Sequence, residues 1–306
     1  RPADLAGAGR PDVRLSRPAE RPRVTHLLIA LHSGSWWGRV ETGDPTFPGT
    51  CHSDAVHVSR IGFTSLKGAR HLGRPFVDLT RDGPVGDRVF CLVDLARGRV
   101  LRTVENPTLM QTRVVWDAGV LTVTLPGATV AGVPGPAEQA RTLDYWGRGV
   151  ALEIIDGPWA AAYSTHLGYD VVLARSTGGN IVYGASVSLI TTGSLDELSR
   201  RVGTRVLDSQ LRATFTVHTE VPHREDAWIG RRLTLGETEV EVRGAIPRCH
   251  VIDLDPDTGL RRTRAMRTLA DYRRQGNDVV FGVDAVVTKP GRVHVGDAVE
   301  PIGAGG

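Results

Sequence analysis

The sequence predicts a mainly β protein, built as two β-barrel units with a few short helices. Three observations carry that expectation. Short runs rich in Val, Ile and Leu recur along the 306-residue chain, each closed off by Gly, Pro or Asp, the pattern of barrels and sandwiches. Helical periodicity is convincing over two segments only. Residues 127–136 are dense in Gly and Pro and mark the best internal boundary.

The expected strands are 24–31, 88–94, 113–116 with 120–125, 150–155, 170–174, 214–219, 232–235, 239–242 and 279–287. One helix is expected over 194–202, with Ser194 as its cap and Glu197 at the capping-box position. The other covers 265–274, where Met266, Leu269 and Ala270 share a side. Residues 1–23 are rich in Pro, Arg and Ala and lack the apolar core of a secretory signal, so they read as a flexible arm, and less readily as an Arg-rich organellar transit segment, because Asp4, Asp12 and Glu20 interrupt it. Residues 24–135 then make a first β unit, interrupted by an insertion at 33–54, and residues 136–306 make a second.

Composition excludes several functions. The chain is 41% hydrophobic and 23% charged, ordinary for a globular protein with a sizeable core. No run approaches the roughly 20 apolar residues of a membrane helix, so no membrane is expected. The net charge of +3 is too mild and too dispersed to imply nucleic acid. Lys67 and Lys289 are the only lysines; every other cation is arginine, which clasps phosphates and carboxylates through its planar fork. Cys51, Cys91 and Cys249 are odd in number and lack CxxC spacing, against a disulfide scaffold or a structural zinc. Such usage suits a reducing, cytoplasmic setting.

Cys249 stands between Arg248 and His250, neighbours that favour a thiolate if they lie close to the sulfur. Cys91 sits in a strand pattern and reads as core. His218 and His223 lie five residues apart, which is no helical zinc spacing. They read as a solvated strand edge and loop, or else one of them serves as a general base. Asp87-Arg88 reads equally as a fold-stabilising ion pair or as an anion contact. Trp36 and Trp37 in the insertion suit a lid, a core filler or an interface.

Two ordered sets of residues go beyond composition. The first is Ser65-Leu66-Lys67-Gly68, followed by Gly86-Asp87-Arg88-Val89-Phe90 and Leu92-Val93-Asp94. The second runs Pro247-Arg248-Cys249, Asp255-Pro256-Asp257-Thr258-Gly259, Thr268-Leu269-Ala270-Asp271-Tyr272-Arg273, Phe281-Gly282 and Pro290 to Val299. Between them lies Ser188 to Leu195, a strand-to-helix step. Together they resemble MOSC domains with their N-terminal β-barrel region, above all those of the amidoxime-reducing component type. The resemblance covers most of the chain beyond about residue 60.

That resemblance implies molybdenum cofactor (molybdopterin) as the ligand, with Cys249 holding the metal, a role that suits a soft thiolate donor. It places phosphate and pterin contacts on Ser65, Arg88 and Arg212, with Lys67, Thr192, Ser194 and Arg248 in the same motifs. It further implies a small N-oxygenated substrate and electrons from a separate redox protein, or else service as a sulfur or cofactor carrier. The chain also departs from the family. Thr64 stands where the first turn carries lysine, Gln210-Leu211-Arg212-Ala213-Thr214 replaces R-F-R-P-N, and Val104 or Glu105 replaces an arginine before Pro107. Asp284 stands near where an aromatic is expected. These departures keep open a cofactor-free enzyme of specialised metabolism, with Cys249, His250, His218, His223 and Asp284 as its acid, base or nucleophile.

Overall fold

The computed structural model describes residues 55–137, 139–176 and 181–303. All of these fall within one compact unit, His52–Gly306. The arm at 1–23, the strand at 24–31, and the insertion at 33–54 with its paired tryptophans and Cys51 lie outside the described residues. The fold is mainly β.

A nine-stranded sheet carries Leu72–Arg74, His57–Phe63, Phe215–His218, Val187–Thr191, Asp278–Lys289, Thr238–Pro247, Arg232–Leu235 and Val299–Pro301 in that order, with Arg274–Gln275 paired at the side. Asp278–Lys289 in its middle reads as a near-continuous apolar run, whereas its neighbour Thr238–Pro247 alternates apolar and polar residues. One face buries Ile61, Leu189, Phe215, Val217, Leu233, Val240 and Val283. On the other side, Ile190 and Phe281 pack with Leu195, Leu198 and Leu269 of the helices Thr192–Val202 and Ala265–Tyr272. Val187–Thr191 pairs parallel with Phe215–His218, and a parallel pair needs a crossover connection. Here the helices Thr192–Val202 and Asp208–Leu211 supply it.

The second architectural element is a closed barrel of Gln139–Tyr145, Arg148–Ile155, Val172–Ser176, Phe90–Asp94 and Arg99–Val100. Cys91, Val93, Val100, Leu143, Tyr145, Val150 and Leu152 fill it. Cys91 is thus core, and burial pushes its thiol up to about 12. A three-stranded sheet, Arg113–Asp117, Val120–Leu125 and Ala128–Gly132, packs Leu121 and Val123 with Trp159 and Tyr163. The barrel takes two strands from before residue 135 and three from after it, while His57–Phe63 joins the sheet of the C-terminal half.

Two local expectations change. The helix over 192–202 is capped by Thr191, whose side chain accepts from the Ser194 N–H. Ser194 therefore sits inside the first turn, and Glu197 pairs with Arg200 and Arg201 instead of closing a capping box. The helix Pro158–Leu167 carries only Trp159 and Tyr163 as buried residues. An alanine-rich segment with two buried aromatics four apart gives little contrast between faces, so periodicity does not reveal it.

Candidate functional site

A cavity of about 330 Å³ lies among the 65–68 turn, the barrel hairpin around Tyr145, the 182–188 segment, residues 210–214 and the end of the strand Thr238–Pro247. Its size falls at the small end of ligand pockets. Cys249 is on its wall. The strand Thr238–Pro247 is still paired at Pro247 with Val280, and the Arg248 N–H donates to Val279 O at 2.8 Å. The next residue leaves the sheet: Cys249 is extended and precedes the short turn His250–Asp253. Its side chain is therefore exposed to the cavity rather than sealed in the core.

Five cations line the same cavity, Lys67, Arg88, Arg102, Arg212 and Arg248, against the two carboxylates of Asp278 and Asp284. Lys67 is placed by the 65–68 turn, which is pinned to the barrel by Lys67 N–H to Phe90 O at 2.8 Å and Phe90 N–H to Ser65 O at 2.9 Å. Its ammonium donates to the Tyr145 hydroxyl at 2.9 Å and lies 4.7 Å from that ring's centre. Burial, with Arg88 and Arg212 nearby, brings Lys67 down to about 7. Arg88 has left-handed backbone and pairs with Asp87, which also accepts from the Thr64 N–H.

Arg212 likewise adopts the left-handed region, with φ of 54°. Its Nη2 donates to Ala69 O at 2.8 Å, and its Nη1 is buried with no hydrogen-bond partner among the described residues. Burial and the charge of Arg88 push it down to about 9. An arginine keeps its proton at such values, so the depression represents an unfavourable charge that an anion would relieve. Arg248 donates through Nε to Phe281 O at 2.7 Å and through Nη1 to Leu211 O at 2.8 Å, and burial lowers it to about 10. It comes this close because Gly282, at φ +73°, has no Cβ: one built there would lie 3.1 Å from Arg248 Nη2.

The other sequence candidates sit elsewhere. Ser65 is buried, with its carbonyl in the turn and its hydroxyl unpartnered among the described residues. Thr192 binds the Thr219 backbone through both its accepting and donating sides. Ser194 joins Thr191 in donating to Glu225 Oε2, at 2.8 and 2.7 Å, and accepts from the His223 N–H. These residues tie the strand-to-helix step to the turn Arg224–Trp228. His218 stacks against His57 with ring centres 4.9 Å apart. His223 leans on Tyr272 and Phe281, and burial lowers its pKa. His250 turns to Asp253, 3.1 Å from Nδ1. None of these lines the cavity.

Asp284 does line it, and its Oδ2 accepts from the Ala185 N–H at 2.8 Å, fixing the 182–186 loop. Among the lining residues that escaped the sequence reading are Arg102, Tyr145, Trp146, Tyr183 and Asp278. Trp146 and Gly147 form a two-residue hairpin turn, the only local signal that could have singled out this aromatic. Among the described residues no cluster of three or more His, Cys, Asp or Glu could hold a metal ion. No described helix is long and apolar enough to cross a membrane.

Comparison with known proteins agrees with the motif reading. The family model of the MOSC domain matches residues 165–300. The chain is 29% identical over 124 residues to mitochondrial amidoxime-reducing component 1 of Homo sapiens, covering 38% of this chain and 36% of that protein. It is 28% identical over 267 residues to the molybdenum cofactor sulfurase of Oryza sativa subsp. japonica, covering 74% of this chain and 32% of that protein. The matches thus span about a third of the length of these relatives. The YuaD protein from Bacillus subtilis aligns with 80% of this chain and 94% of its own, at TM-score 0.38 and 11% identity. The family match and the motifs around Cys249 thus show a MOSC domain at residues 165–300, and the chain is similar over part of its length to the amidoxime-reducing components.

Proposed function

We propose that this chain binds molybdenum cofactor in the Cys249 cavity and reduces small N-oxygenated molecules there, with electrons delivered by a separate redox protein. The observation that carries the reading is a reachable thiol on the wall of a cavity with five cations against two carboxylates. The donor set fits the group. A thiolate is a soft ligand for a sulfur-bound metal, and the unpartnered Arg212 Nη1 is a guanidinium donor waiting for an acceptor such as phosphate.

In that reading Cys249 holds the metal, while Lys67, Arg88 and Arg212 hold the phosphate. When bound, the cofactor supplies the two-electron chemistry that removes oxygen from nitrogen. The protein's own part is orientation and charge. Arg248, tied to two carbonyls, holds the strand end that presents Cys249. Asp284 holds the loop at 182–186 against the opposite wall. Of the five groups named for a cofactor-free enzyme, Cys249 and Asp284 line the cavity.

The test is the molybdenum and pterin content of protein made in a cofactor-competent host. About one of each per chain is expected, with molybdenum lost from a folded Cys249→Ala variant. Wild-type protein that is folded yet free of both molybdenum and pterin would end this reading.

A further inference from the structure

The apex of the barrel hairpin carries an unusual residue. Tyr145 pairs with Arg148, leaving Trp146 and Gly147 as a two-residue turn with φ of 55° and 81°. Such turns need left-handed backbone at both positions, which favours Asn-Gly or Gly-Gly. An aromatic residue there is strained, and strain of this kind gathers at functional sites. The indole is also 42% exposed, so burial does not account for it.

What surrounds the indole supplies a use. The Arg102 guanidinium stacks over it at 4.3 Å, and that guanidinium is held in turn by Glu105 at 3.4 Å. Tyr183 stands 6.3 Å away, its plane inclined at 66° to the indole, and is 60% exposed. All three line the cavity that holds Cys249. Two exposed rings inclined at 66° form a corner: a flat ring can stack on one while presenting its edge to the other, the two arrangements aromatic pairs favour. The cationic wall of Lys67, Arg88 and Arg212 lies in the same cavity, ready for an anionic group on the same ligand.

We infer that Trp146 and Tyr183 form a seat for a planar conjugated ring at the edge of the Cys249 cavity. This goes beyond the cofactor reading and does not need it, since the ring belongs either to a pterin or to an aromatic substrate. In both cases the chemistry recognised is the same: a flat π-system joined to an anionic group.

Binding to the full-length protein tests the seat, with benzoate and cyclohexanecarboxylate as probes of equal charge and similar size, only one of them flat. Benzoate should bind about twofold to twelvefold more tightly, the range expected of one aromatic stack. Trp146→Asn removes the ring and places at the turn a residue that accepts left-handed backbone, so its melting temperature should hold or rise while the preference for benzoate falls to about one. Tyr183→Leu should reduce the preference as well. Pterin-6-carboxylate and retained pterin separate the two sources. Tight pterin binding, with pterin lost from Trp146→Asn, assigns the seat to the cofactor; unchanged pterin content with lost benzoate preference assigns it to substrate. Equal binding of the two acids by wild type, no binding of either at millimolar concentration, or a preference that survives Trp146→Asn would overturn the inference.

Discussion

Replacing Lys67 by Met should make the protein more stable and less able to hold its ligand. Burial, with Arg88 and Arg212 nearby, brings Lys67 from its ordinary 10.5 to about 7. At 1.36 kcal/mol per pH unit, keeping it in the fold at pH 7 costs roughly 4 kcal/mol. Methionine of similar length escapes that cost. It also gives up the 2.9 Å hydrogen bond to Tyr145 and the contact with its ring, together worth about 2 kcal/mol. The net expectation is a gain of about 2 kcal/mol at pH 7. The sign of the pH dependence follows from proton counting. Between pH 7 and 10.5 the unfolded chain binds more protons at Lys67 than the folded one, so wild type gains stability as pH rises through that window and carries the full penalty below it. Urea titrations at pH 6.5, 8 and 9.5 should therefore show the variant's advantage shrinking and then reversing. The same variant should bind phosphate-bearing ligands more weakly. A variant less stable than wild type at pH 6.5, or a gap that does not change with pH, would refute the view of Lys67 as a strained cation kept for an anion.

Two further substitutions probe the backbone that aims the arginines. Gly282→Ala places a Cβ 2.7 Å from Leu189 O and 2.6 Å from Ile190 Cγ2 at a residue with φ +73°; it should cost at least about 2 kcal/mol in denaturant unfolding and disturb Arg248. Ala213→Pro should push Arg212 out of its left-handed conformation, because a residue before proline is driven toward extended backbone; phosphate affinity should fall further than the melting temperature suggests.

Local pattern made the short Val-rich strands legible. The segment 232–235 is the strand Arg232–Leu235, and 120–125 is Val120–Leu125. Partnership between strands was not legible. That Phe90–Asp94 closes a barrel with strands some fifty and more residues later is set by long-range packing, and no local periodicity records it. The same divide runs through the site. Cys249, Arg88, Arg212, Lys67 and Arg248 stand in motifs, and the structure brings all five to one cavity. Ser65, Thr192 and Ser194 stand in motifs too, yet their side chains or backbones serve the turn and the helix start instead of the cavity. Trp146, Tyr183 and Arg102 belong to no motif, since a hairpin apex and two loops meet only once the barrel has formed.

The departures from the family pattern acquire a physical reading once their partners are visible. Thr214, where an asparagine is usual, exchanges hydrogen bonds with Ser188: its N–H donates to Ser188 Oγ at 3.0 Å and its Oγ1 accepts from the Ser188 N–H at 3.2 Å. Ala213 in place of proline leaves Arg212 free to take left-handed backbone and send its guanidinium to Ala69 O. Thr214 thus braces Ser188, and the left-handed backbone at Arg212 carries its guanidinium to the cavity wall. Asp284 follows the same logic. A carboxylate beside an anion site should repel its ligand, yet this one accepts the Ala185 N–H and holds the loop that carries Tyr183. Its charge is partly answered by that donor, and what it contributes to the cavity is the position of an aromatic ring. The cavity wall is thus held by Thr214, Ser188 and Asp284 while five basic side chains face two carboxylates across it. A ligand that is anionic at one end and flat at the other is the kind such a wall selects.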